Sequence, residues 1–172
     1  LYFIEQNSTS EALRYPHNVT VEDCTFKGDG TNVICGVRYR QGFNNVVKNC
    51  TAEGLYLFIW TTGGNNITID NVDVIGTYKE GGFSLGQCNK FTVKNSTIAA
   101  SDPAGYGIRL SASMPSTATI ESCEISSFIP VVVREASEDQ TLTFDGTNTM
   151  TASNTDNIWC AIGTSAYTTN GT

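Results

Sequence analysis

Val19-Thr20-Val21-Glu22-Asp23-Cys24 returns as Val46-Val47-Lys48-Asn49-Cys50 and again as Ile67-Thr68-Ile69-Asp70-Asn71-Val72. Three more copies follow: Phe91-Thr92-Val93-Lys94-Asn95-Ser96, Ala118-Thr119-Ile120-Glu121-Ser122-Cys123 and Leu142-Thr143-Phe144-Asp145-Gly146-Thr147. The equivalent apolar residues stand at 21, 47, 69, 93, 120 and 144, at intervals of 26, 22, 24, 27 and 24. Side chains alternate with period two inside each copy, the signature of a strand with one buried face. A strand every two dozen residues, with no helical period between, predicts copies stacked in parallel as coils of a solenoid.

Stacking turns each position into a column. Asp23, Asn49, Asn71, Asn95, Ser122 and Gly146 make a polar corner, where side-chain amides bond one another and the turn backbone. Cys24, Cys50, Val72, Ser96, Cys123 and Thr147 supply small groups to the inside of that corner. Glu22, Lys48, Asp70, Lys94 and Glu121 alternate in sign before Asp145, the order that cross-strand pairing favours on a solvent face. Beside them runs a threonine-rich column: Thr20, Val46, Thr68, Thr92, Thr119 and Thr143.

The motif V/I-T-V/I-x-N-C/S/T resembles the repeat of right-handed parallel β-helix proteins, the pectate-lyase-like superfamily that includes phage tailspikes, over nearly the whole chain. The resemblance implies an all-β, single-stranded right-handed parallel β-helix solenoid of about six to seven coils of roughly 24 residues. Residues 1–172 read as one β-helix domain, a piece of a longer chain, because Leu1-Tyr2-Phe3-Ile4 resembles a strand entered midway. By the same resemblance, the setting is extracellular, cell-surface or virion-surface, and assembly into a homo-oligomer, a trimer in tailspikes, is implied.

Each coil carries a second strand: Val37-Arg38-Tyr39-Arg40, Leu57-Phe58-Ile59-Trp60, Phe83-Ser84-Leu85-Gly86, Ile108-Arg109-Leu110-Ser111 and Val131-Val132-Val133-Arg134. With Val37, Leu57, Phe83, Ile108 and Val131 inward, the arginines point out. The opposite phase buries four arginines at prohibitive cost. The outward columns are then Arg38, Phe58, Ser84, Arg109, Val132 and Arg40, Trp60, Gly86, Ser111, Arg134. Four of the chain's five arginines fall on this face of a protein whose formal net charge is −7.

Small Ser84, Gly86 and Ser111 form a trough between the arginine and aromatic end and Arg109. Arginine makes bidentate, charge-assisted bonds to planar anions, and an exposed Trp offers an apolar surface to a pyranose. Arg38, Arg40, Phe58, Trp60, Ser84, Arg109, Ser111 and Arg134 are therefore the candidate carbohydrate-binding residues, for a polysaccharide or oligosaccharide bearing carboxylates or sulfates. Five coils span roughly 19 Å along the solenoid. Tyr56, Glu80, Asp102 and Tyr106 on flanking loops are further hydrogen-bonding candidates.

Other classes fit less well. The acidic charge argues against nucleic acid as a partner, and no run reaches the ~18 apolar residues of a membrane-inserting span. With no Cys-x-x-Cys pair and a single histidine, His17, no metal site is expected, and no cofactor is implied. Cys24 and Cys50 fall on adjacent coils about 4.8 Å apart, within disulfide reach, and the sequence leaves that pairing open.

Glycoside hydrolysis needs two carboxylates at a set separation. The outward second-strand columns hold none, although Glu135 follows Arg134. Asn154-Thr155-Asp156 matches an Asn-Thr-Asp hydrolase motif only in letters, without its partner residues, so no catalytic residue is assigned. Three readings follow: an acidic-polysaccharide-binding domain of a tailspike or bacterial surface protein, a fragment of a lyase or glycoside hydrolase in which Arg109 meets the substrate, and a purely structural or oligomerising solenoid.

Overall fold

The alternating stretches all form strands, and every pairing between them is parallel. A computed structural model describes residues 2–6, 17–31, 35–76, 81–101, 103, 105–111, 116–134 and 140–162. A first partial turn holds β1 (Tyr2–Gln6), β2 (Thr20–Glu22) and β3 (Thr25–Lys27). The second turn has β4 (Cys35–Tyr39) and the bent β5 (Phe43–Glu53). The third is one continuous strand, β6 (Leu57–Gly76).

Three separate strands make up each of the next turns: β7 (Gly81–Cys88), β8 (Lys90–Lys94) and β9 (Thr97–Ala100), then β10 (Tyr106–Ser111), β11 (Ser116–Glu121) and β12 (Glu124–Ser127). β13 (Ile129–Arg134), β14 (Gln140–Asp145) and β15 (Thr149–Ala152) complete another, and β16 (Cys160–Ile162) begins one more. The result is an all-β parallel solenoid of about five turns. The expected six to seven is high because the outermost strands belong to partial turns.

Each turn contributes to three faces. The first face stacks β1, β4, the start of β6, β7, β10, β13 and β16. The repeat motif forms the second face, and the segments after the corner form the third. On the second face the register is Val21, Val47, Ile69, Val93, Ile120 and Phe144, as the repeat predicts. The first five of these side chains meet Val37, Ile59, Phe83, Ile108 and Val131 of the first face and Val74, Ile98 and Ile125 of the third in one continuous core, while Phe144 is exposed at the end of the stack and packs edge-on against Trp159. Burial of this core is the main stabilising contribution, about 1.5–3 kcal/mol per fully buried aliphatic side chain.

The corner between the second and third faces explains the Asn column. Asp23, Asn49, Asn71, Asn95 and Ser122 have φ of 51–54°, and Gly146 has 66°. This left-handed conformation costs most residues about 1–2 kcal/mol, and short polar side chains offset it by local hydrogen bonds. Asn71 Nδ2 donates to Asn49 Oδ1 at 2.9 Å, while Asn95 Nδ2 donates to Asp70 Oδ1 at 2.9 Å.

Just inside the corner, the Cys24, Cys50 and Cys123 thiols donate to the carbonyls of Glu22, Lys48 and Glu121 at 3.1–3.3 Å, and Ser96 Oγ donates to Lys94 O at 2.7 Å. Thiol and hydroxyl thus fill the same architectural role, and all six cysteines are free. The last turn departs from the predicted column. Glu124 pairs with Thr149, so one extra residue puts Asn148 rather than Thr147 beside Cys123, where its Oδ1 accepts from Cys123 N at 2.9 Å.

The outward charges pair as their order predicts: Lys48 with Glu22 at 2.8 Å and Lys94 with Asp70 at 3.2 Å. Both pairs are partly solvated, so water screens them and each adds little to stability.

Candidate functional site

On the first face, Val37, Ile59, Phe83, Ile108 and Val131 are in register and point inward. The aligned residue of the third turn is therefore Ile59 rather than Leu57, and the outward column becomes Arg38, Trp60, Ser84, Arg109 and Val132.

Phe58 is not on the outer face. It is 0% exposed, and its ring packs 5.2 Å from Phe26 and 6.3 Å from Phe83 in the core. Gly36 provides the space, since a Cβ there lies 2.5 Å from Phe58 Cδ2. The strand begins at a bend, so Leu57, Phe58 and Ile59 are buried in succession and strict alternation fails for those three residues.

The corrected register brings the sequence-derived residues closer together. Trp60, Ser84, Gly86, Arg109 and Ser111 line one depression of about 240 Å³, with Thr61, Thr62 and Gln87 completing it. Trp60 and Arg109 stand one coil either side of Ser84, about 9.6 Å apart at the strand spacing. Ser84 is buried at the floor between them.

Beneath the floor, the buried Thr61 hydroxyl accepts from Gly86 N at 3.1 Å and lies 3.4 Å from Gly86 O, holding β6 and β7 together. Gly86 keeps the next column low. A Cβ added there would lie 3.1–3.3 Å from Thr61 O and from Ser111.

The two walls are oriented by their neighbours. Arg38 lies over the Trp60 ring, its Cζ 4.1 Å from the centroid. Arg109 Nη1 donates to Tyr106 Oη at 3.4 Å, with Cζ 5.9 Å from the Tyr106 ring. Arg109 Nε is buried and has no hydrogen-bond partner among the described residues. Carboxylates and sulfates suit a guanidinium at such a wall, because charge-assisted bonds are about twice as strong as neutral ones.

Arg40 and Arg134 are partly buried and do not line the depression. Val132, 0% exposed, joins Tyr106 and Ile129 in a small apolar cluster backed by Phe128 and Ile158, so the face is closed at that end.

Thr61, Thr62 and Gln87 are lining residues that sequence reading missed. The correct register would have revealed Thr62 in the Gly86 and Ser111 column. Gln87 has φ of 51°, which no composition signal announces. Tyr56 is half-buried outside the lining, and Glu80, Asp102 and Glu135 lie outside the described residues.

Among the described residues the lining contains one cation and no carboxylate, an inventory suited to holding an anion. Asn154 is a structural residue, whose Nδ2 donates to Phe128 O and Ile158 O at 2.6 and 2.7 Å and whose Oδ1 accepts from Ile158 N at 2.9 Å. His17 is exposed and packs on Phe43, with ring centroids 5.0 Å apart. Among the described residues no cluster of three His, Cys, Asp or Glu is placed to hold a metal, and no helix is long and apolar enough to cross a membrane.

Stacked parallel coils, an asparagine corner and a shared axial core define a parallel β-solenoid. The sequence model described as "Right handed beta helix region" matches residues 3–157, and the chain belongs to that family. No curated protein and no solved structure matches the chain.

Proposed function

We propose that this β-helix domain binds an acidic polysaccharide at the trough between Trp60 and Arg109. The observation that supports this reading is Arg109 itself: a half-buried guanidinium, the one cation among the described lining residues, at the wall of a depression whose floor is Ser84 and Gly86 and whose other wall is an indole. A pyranose seated over Ser84 has its apolar face toward Trp60 and a carboxylate or sulfate toward Arg109. Ser111 and Thr62 supply hydroxyls at the rim.

The setting that goes with this reading is a cell-surface protein or phage tailspike of pectate-lyase-like type, acting outside the cell and assembled as a trimer. A glycan array carrying uronic-acid, sulfated and neutral oligosaccharides tests it. Retention of acidic glycans, lost in Arg109→Ala, is the expected outcome; an array without an acidic hit removes the reading.

A further inference from the structure

A second depression, of about 280 Å³, lies at the next corner of the coil, and Gln87 lines both. It surrounds Gly63, which sits between Gln41 and Gln87 of the adjoining coils. A Cβ at Gly63 would lie 3.0 Å from Gln41 Cγ, and its φ of +107° favours glycine. The missing side chain opens a notch between the two glutamines. Asn65, Asn89 and Phe43 form the rest of the rim.

The asparagines of this corner fall into two kinds. Asn66 Nδ2 donates to Asn44 Oδ1 at 2.9 Å, and Asn44 Nδ2 donates to Asn18 Oδ1 at 3.3 Å, a ladder that satisfies itself. The side chains of Gln41, Asn65, Gln87 and Asn89 make no such bonds among the described residues. Gln87 also holds a left-handed φ of 51°, an uncommon state for a non-glycine residue. Phe43, 38% exposed, is packed by His17 on one flank and borders the depression.

We propose that this corner is a second sugar subsite, taking an uncharged pyranose unit of the same glycan whose acidic unit occupies the Trp60 and Arg109 trough. Four amides with free donors and acceptors match the alternating hydroxyls of a neutral sugar, and among the described residues no charged side chain lines the depression. Its volume, just below the range of drug-sized ligand pockets, suits a single ring. Gly86 and Asn89 are three residues apart across the bend at Gln87, so at most about 10 Å of chain separates the two depressions. The glycan therefore runs along the strands and over the corner, crossing the solenoid axis instead of following it.

This inference rests on the trough reading, and the test separates the two. Calorimetric titrations of the full chain use a uronic-acid monosaccharide and a trisaccharide that joins the same uronic acid to neutral hexoses. The trisaccharide is expected to bind about tenfold more tightly. Phe43→Ala and Asn89→Ala, both at exposed positions, are each expected to remove most of that gain and leave monosaccharide binding unchanged. If the wild type binds neither sugar, the trough reading fails and the subsite with it. If the monosaccharide binds but trisaccharide affinity is equal to it, or unchanged in both variants, the trough stands and the second subsite is overturned.

Discussion

The Arg38 guanidinium covers one face of the Trp60 ring at 4.1 Å, leaving the opposite side of the indole to the trough over Ser84. Arg38 is itself buried, so the pair acts as a prop that fixes the indole plane. In a Trp159→Phe background, where Trp60 is the sole tryptophan, Arg38→Ala is expected to red-shift Trp60 emission and raise acrylamide quenching. The stability loss is about 1–2 kcal/mol, the scale of a partly desolvated cation–π contact.

Phe58 and Trp60 are two residues apart and have opposite predicted phenotypes. Phe58→Ala empties a fully buried site between Phe26 and Phe83 and is expected to cost about 3–5 kcal/mol in urea denaturation. Trp60→Ala, at the trough wall, is expected to change stability by under about 1.5 kcal/mol while abolishing retention on acidic glycans.

That contrast shows where the sequence was readable. The second-face register follows from the Thr and Asn signals that flank each apolar residue, and it holds at all six positions. On the first face, Leu57-Phe58-Ile59 offers two apolar residues of the same parity, and alternation cannot choose between Leu57 and Ile59. Parity alone was enough to turn the arginines outward and to find Ser84, Gly86, Arg109 and Ser111. The bend that buries Phe58 and the left-handed φ of Gln87 arise from coil closure, which leaves no period in the sequence.

The corner ladder makes its own prediction. Asn71→Ala loses the 2.9 Å bond to Asn49 and keeps the cost of a φ of 53°, an expected loss of about 1–2 kcal/mol. Asn71→Gly loses the bond but relieves the φ, so it is expected to be the milder variant in thermal melts.

Alkaline pH weakens the fold from within. Burial pushes the Cys88 thiol from its ordinary 9.0 up to about 11, and burial also raises Cys50, Cys123 and Cys160. Above about pH 9 the unfolded chain releases thiol protons that the folded chain retains. Stability is then complete below that pH and falls as pH rises toward 11. Urea midpoints at about pH 8 and pH 10 measure the decline, and Cys88→Ala is expected to make it shallower.

The central claim is that the Trp60 and Arg109 trough holds an acidic sugar, and Trp60 reports on it directly. In Trp159→Phe protein, titration with a uronic-acid oligosaccharide is expected to change Trp60 emission saturably, with affinity falling as salt rises from about 50 to 500 mM and dropping at least about tenfold in Arg109→Ala. Emission that stays constant through the titration, or saturation indifferent to both salt and Arg109, contradicts it.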